Sequence, residues 1–225
     1  MNYEKFQKLR DASPFLSLNE AVYKYLFEEI ISLNIIPGTK LNETQIAKSF
    51  GISRSPIQIA IKQLCEDGLV QKRKGKTPRV TLVKYEECKQ LCEMRIGIEG
   101  EAAYHAAKRM TQNELEGLRN LVFQFEKCIK SENYSIIPVL DDQIHKAIID
   151  ACRNEYIQEA YEVIKNKVLR YRWCSLINGI ETQEFVNMQN RHIGIYYALK
   201  NHLSDQARKE MIQDCKGMFH AMRYL

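Results

Sequence analysis

The sequence predicts a mainly α-helical protein in two parts: an N-terminal winged helix-turn-helix over residues 1–83 and an all-helical bundle over residues 84–225. Three observations predict it. Apolar residues recur at helical spacing through most of the chain. The exception is a pair of short β-type runs, Leu69-Val70 and Arg79-Val80-Thr81-Leu82-Val83, around a basic turn containing Gly75. The charge is one-sided: residues 1–83 carry 13 Lys+Arg against 8 Asp+Glu, residues 84–225 carry 20 of each, so the whole net charge of +5 lies in the first part.

The elements follow in order. Val22, Leu26, Ile30 and Leu33 mark a helix from Leu18, stopped by Pro37-Gly38. Asn42 and Glu43 can cap a short helix that carries Ile46, Ala47 and Phe50, and Gly51 breaks it. Ser53 suits an N-cap and Pro56 a first turn, for a third helix with Ile57, Ala60, Ile61 and Leu64 on one face. Gly68 ends that helix and the hairpin follows. Two helices joined by a tight Gly-containing turn, then a hairpin, is helix-turn-helix order with a wing. From Tyr85 onward six helical stretches follow, at about 85–109, 112–131, 136–151, 155–178, 182–202 and 204–223. Thr111, Thr182 and Ser204 are their N-cap candidates, and Pro138 suits a first turn.

Composition excludes several classes. With 45% hydrophobic and 27% charged residues the chain is globular. No run approaches the roughly 20 apolar residues of a membrane span, and the polar N-terminus has no secretory core. Seven cysteines without a C-x-x-C pair argue against a disulfide framework. The expectation is a cytoplasmic protein with reduced thiols and no membrane partner.

The charge points to double-stranded DNA. Lys72, Arg73, Lys74, Lys76 and Arg79 fall within eight residues with no acid among them, a density suited to phosphates. In a helix-turn-helix the start of the second helix enters the major groove. Arg54 can therefore fork onto guanine or clamp a phosphate, while Ser53 and Ser55 take phosphate. Gln58, one turn on, can reach a base edge, adenine being its natural partner. Thr44 opens the preceding helix against the DNA backbone. Arg73, Lys74, Gly75 and Lys76 form the wing contact, with Gly75 permitting close approach.

The stretch from Leu41 to Val70 resembles the GntR family of transcription regulators, on Pro37-Gly38-x-x-Leu41, Ser53-Arg54-Ser55-Pro56 and Gly68-Leu69-Val70. The family usually has Arg where this chain has Gln58, so the expected operator differs at one base pair per half-site.

In the helical part, four polar residues interrupt or border apolar stripes. Asp141 and His145 border the face Ile137, Leu140, Ile144, Ile148, Ala151. His192 stands among Phe185, Met188, Ile195 and Leu199, and Asp214 among Ala207, Met211, Met218 and Met222. Ionisable groups aimed at a bundle core are paired or bind something. The four can converge as a two-His, two-carboxylate set, whose donors suit Zn, Ni, Mn or Fe. A hydrogen-bonded polar cluster without metal is the alternative. Arg95, on the stripe with Leu91, Cys92 and Ala102, suits a small carboxylate effector; a salt bridge to Glu99 is its alternative. This part resembles the FCD effector domain in its six-helix form, on Arg95-x-x-x-Glu99, Asp141-x-x-x-His145 and His192. Metal-binding members use one Asp and three His, and Asp214 stands where the third His is expected.

The resemblance implies a homodimeric regulator, a repressor rather than an enzyme, that binds a pseudo-palindromic operator under control of a small-molecule carboxylate and a divalent metal. The competing readings are a helical-bundle metalloenzyme and a winged helix used for protein contact.

Overall fold

The computed structural model describes residues 1–179 and 183–221, without the side chains of 176–179, 183–186, 189 and 219–221. The expected cap Thr182 and the stripe residues Phe185 and Met222 lie outside what it describes. Two compact units are present, Met1–Val83 and Lys84–Leu225.

The first unit contains a helix that the sequence pattern does not announce, α1 (Tyr3–Ala12). Asn2 caps it by accepting from the Lys5 amide at 3.0 Å. Its single buried side chain is Phe6, whose ring stacks on Phe50 at 4.1 Å and meets Tyr25 edge-on at 5.9 Å. α2 (Leu18–Ile31) opens with a Ser17/Glu20 capping box and buries Val22, Leu26 and Ile30 as expected. The chain then turns through Gly38, at φ 83°.

α3 (Glu43–Phe50) starts at Asn42, whose Oδ1 accepts from the Thr44 and Gln45 amides, both at 3.1 Å. It ends at Gly51 in the left-handed region. α4 (Arg54–Glu66) follows from Ser53, with Ile57, Ala60, Ile61 and Leu64 buried. The wing is β1 (Val70–Gln71) paired antiparallel to β2 (Arg79–Val80), Val70 opposite Val80, with Lys40 bridging to Arg79 on the outer edge. The strands are shorter than the sequence suggests. Thr81 lies just past the paired residues; its amide donates to the Leu69 carbonyl at 3.0 Å and its hydroxyl to a carbonyl of the Gly68–Leu69 turn at 3.1 Å.

Among the described residues the second unit has six α-helices, α5 (Tyr85–Arg109), α6 (Gln112–Lys130), α7 (Ile137–Ala151), α8 (Glu155–Gly179), α9 (Gln183–Lys200) and α10 (Ser204–Ala221). A 3₁₀ turn, Tyr134–Ile136, leads into α7. Thr111 caps α6 in a reciprocal box with Glu114. The core gathers Ala103, Leu118, Phe125, Ile144, Ile148, Ile195, Leu199 and Met211 from α5, α6, α7, α9 and α10. All seven cysteines are free thiols. Among the described residues no helix is long and apolar enough to cross a membrane.

Candidate functional site

The first unit presents a basic face. Thr44, Ser53, Arg54, Ser55, Gln58, Arg73, Lys74, Gly75 and Lys76 are all exposed. The starts of α3 and α4 and the tip of the wing open on one cleft, lined by Thr44, Arg54, Lys72, Gly75 and Lys76 together with Glu43. Ser53 occupies the N-cap position of α4 without making the capping bond, so its hydroxyl is not committed to the helix end. Gly75 turns the wing at φ 68°, with open space where a side chain would stand. A second cleft on the wing is lined by Lys40, Gln71, Arg73, Lys76 and Arg79.

Sequence reasoning overlooked Glu43 as a member of this face. Its carboxylate accepts from Lys72 Nζ at 2.6 Å and Gln58 Nε2 at 3.0 Å, and Arg54 Nη2 lies 3.6 Å away. Burial raises its pKa, but the bonds from Lys72 and Gln58 outweigh that and hold it below the usual carboxylate value. Nothing in the hydrophobic pattern marks this residue. It reads as an ordinary first-turn acid.

The second unit holds a buried ionic centre built by five helices. Asp141 and His145 come from α7, His192 from α9 and Asp214 from α10; one ligand atom of each lies within 4.8 Å of all the others. His192 Nε2 lies 3.1 Å from Asp141 Oδ1 and 3.6 Å from Asp214 Oδ1. His145 Nε2 lies 3.0 Å from Asp214 Oδ2 and 3.7 Å from Asp141 Oδ1. Yet Asp141 Oδ1, His145 Nε2, His192 Nε2 and Asp214 Oδ1 are all fully enclosed with no hydrogen bond of good geometry. They cluster together in one enclosed spot. Metal–ligand lengths of about 2.0–2.1 Å place neighbouring donors roughly 3.0–3.4 Å apart; the four separations above run from 3.0 to 3.7 Å, within a set bounded at 4.8 Å. The residues fit a divalent ion.

A second layer surrounds these four. Glu99 of α5 bonds His145 Nδ1, and the Nε2 edge of the ring faces Asp141 and Asp214. A lone pair facing two carboxylates is unfavourable unless a proton or cation stands between them. Burial and Arg172 push the His145 pKa down, but Glu99, Asp141 and Asp214 overcome them and raise it. Glu99 and Asp141 are held far below the usual carboxylate range. For both, burial acts the other way and is outweighed, by Arg95 and His145 at Glu99 and by Arg172 and His145 at Asp141.

Arg95 is expected to fork onto an effector. In the structure its fork is filled: Nε and Nη2 both donate to Glu99, and the side chain is 1% exposed. It belongs to the layer behind His145. Arg172 of α8 is the residue that sequence reasoning missed. Its Nε lies 2.7 Å from Asp141 Oδ2 and its Nη1 donates to Asp142 Oδ1 at 2.7 Å. The signal was available, since Arg172 is four residues beyond the buried Val168 on one helix face, but Lys165, Lys167 and Arg170 around it, Arg170 itself buried, make it hard to single out. Three buried carboxylates, Glu99, Asp141 and Asp214, stand among two buried guanidiniums, Arg95 and Arg172, and two buried imidazoles, His145 and His192.

Comparison with known proteins gives the same two-part division of labour. The family described as bacterial regulatory proteins, gntR family, matches residues 18–80, and the FCD domain family matches residues 90–215. The chain is 25% identical over 213 residues to the HTH-type transcriptional repressor RspR of Escherichia coli strain K12, covering 95% of this chain and 92% of that protein. It is 28% identical over 149 residues to the HTH-type transcriptional regulator LutR of Bacillus subtilis strain 168, covering 59% and 67%. Among solved structures, E. coli McbR/YncC aligns over 93% of this chain and 100% of its own with a TM-score of 0.70 at 16% identity. A putative GntR regulator from Rhodococcus sp. RHA1 aligns over 90% and 97% with a TM-score of 0.72 at 19% identity. At those identities the two structures speak for the fold alone.

Proposed function

Because the chain belongs to the gntR family of bacterial regulatory proteins and carries an FCD domain, it is a DNA-binding transcription regulator with a ligand-binding effector domain and not an enzyme; we propose that its ligand half is organised around a divalent metal ion held by Asp141, His145, His192 and Asp214. The observation that carries this reading is the clustering of four enclosed, unbonded donor atoms in one spot. When bound, such an ion supplies a Lewis-acid anchor for an anionic effector.

The protein residues prepare that role. Glu99 orients His145, Arg95 holds Glu99, and Arg172 orients Asp141. A divalent ion adds positive charge to this buried set, which favours a small carboxylate. Because the Arg95 fork is engaged by Glu99, that carboxylate is gripped at the ion rather than by Arg95.

On the DNA side, Arg54 and Gln58 read bases, Thr44, Ser53 and Ser55 contact phosphate, and Arg73, Lys74, Gly75 and Lys76 carry the wing contact. A homodimer presents two such faces to a pseudo-palindromic operator, working in the cytoplasm and acting as a repressor, the role named for RspR. The effector acts by binding DNA-competent and incompetent dimers with different affinity.

Elemental analysis of the purified chain beside Asp141→Ala/His145→Ala tests the centre. One ion per chain in the parent and none in the double variant is expected; equal content sinks the site. Operator affinity with and without a chelator then tests coupling.

A further inference from the structure

We propose that Glu43 is the residue that orients Gln58 and so sets adenine over guanine at the base pair Gln58 reads. The inference rests on Gln58 being a base contact, as proposed above, and adds what controls the side chain.

A glutamine amide is ambiguous in recognition. Its carbonyl accepts, its NH₂ offers two donors, and rotation by half a turn about its last bond exchanges the two ends. Adenine presents N7 as acceptor and the N6 amino group as donor, so it needs one amide N–H beside the amide carbonyl. Guanine presents two acceptors, N7 and O6, so it needs donors alone. A freely rotating glutamine with both N–H groups available serves either base.

Glu43 removes that freedom. It stands at the first turn of α3, fifteen positions before Gln58, and its ionised carboxylate is acceptor-only. It accepts from Gln58 Nε2 at 3.0 Å, so the NH₂ end must face it. One N–H is consumed. The other N–H and the carbonyl remain, which is the pair adenine needs and one donor short of what guanine rewards. The carboxylate is itself fixed, with its second oxygen taken by Lys72 Nζ at 2.6 Å. It is mostly covered, with 10% of its side chain exposed, whereas Arg54 above it is 59% exposed. Glu43 is thus a positioning residue beneath the reading surface.

The test is selection of binding sites from random duplex DNA by the full-length chain, its Glu43→Ala and Glu43→Gln variants, Gln58→Ala, and Glu43→Ala/Gln58→Ala. Gln58→Ala is expected to erase the preference at one position per half-site. Each Glu43 variant is expected to lower the adenine-to-guanine ratio at that same position by about five-fold or more, to leave the other positions unchanged, and to bind random DNA no more weakly than the parent. Glu43→Ala should add nothing to Gln58→Ala. If Glu43→Ala does not fold, the size-matched Glu43→Gln carries the test, since a neutral amide at 43 no longer dictates which end faces it. An unchanged ratio in the folded Glu43 variants overturns the inference, as does an equal loss at every position. If Gln58→Ala changes no position, the reading of Gln58 as a base contact fails instead.

Discussion

Arg172 and Asp141 form the hinge of the buried centre: Arg172 Nε lies 2.7 Å from Asp141 Oδ2, while Asp141 Oδ1 faces His192 Nε2 at 3.1 Å. One carboxylate thus serves two neighbours, and the guanidinium decides which oxygen is left for the histidines. Arg172→Leu should weaken metal binding by about 10–100-fold, the usual loss when an outer partner of a ligand is removed. Competition against a chromophoric chelator measures it, with far-ultraviolet circular dichroism confirming that the bundle stays folded. Unchanged affinity would show that Asp141 needs no such partner.

Arg54 begins α4 on the exposed face, 3.6 Å from Glu43. Arg54→Ala should cost about 1–3 kcal/mol on the operator with little change on random DNA if it reads a base. Equal losses on both, with a shallower salt dependence, would make it a phosphate contact. Fluorescence anisotropy at several salt concentrations separates the two.

At the start of α6, Glu114 accepts from the Thr111 amide at 2.9 Å and from Arg153 Nη2 at 2.6 Å. The Thr111 amide bond, first, and the Arg153 contact lower its pKa. A depressed folded-state pKa contributes stability that is fully present above the ordinary carboxylate value and is lost as pH falls through the folded value. Glu114→Gln should therefore be less stable than the parent near neutral pH, and the gap should close once pH drops below the ordinary carboxylate range. Thermal melts across that range read the gap, and a gap that widens in acid would refute the assignment.

Phe6 attaches α1 to the rest of its unit through Phe50 and Tyr25. Phe6→Ala should destabilise the N-terminal unit by about 3–5 kcal/mol, the common loss for a buried ring. Calorimetry should show the transition of the N-terminal unit move while that of the second unit stays. A shift below about 1 kcal/mol would mean that α1 docks without its ring.

The contrast between Phe6 and Leu26 shows what a linear reading can and cannot reach. Leu26 belongs to a repeating stripe, Val22, Leu26 and Ile30, all buried, so periodicity alone places it. α1 has one buried residue in ten, and a single point has no period. The six helices of the second unit were legible for the same reason as α2: long apolar stripes with capping residues between them. Asp141, His145, His192 and Asp214 were legible because each breaks or borders a stripe. Arg172 does so too, but three neighbouring cations hid it. Glu43 was invisible because its role comes from α4 and the wing folding back over it, a contact of high sequence separation that no local pattern encodes. The stripe places Arg95 inward and leaves two partners open, an effector carboxylate or Glu99; Glu99, one turn on, takes both ends of its fork.

The contact between Glu43 and Lys72 bears on how tightly this surface holds any polyanion. The gain from neutralising phosphates comes from releasing the ions condensed along the duplex, one for each cation that replaces them. A lysine already facing a carboxylate 2.6 Å away brings its own fixed anion to the encounter and liberates less. The chain should therefore exchange fewer ions than its wing cations suggest, which would mute its attraction to arbitrary sequence and leave a larger share of the binding to the fit to the operator.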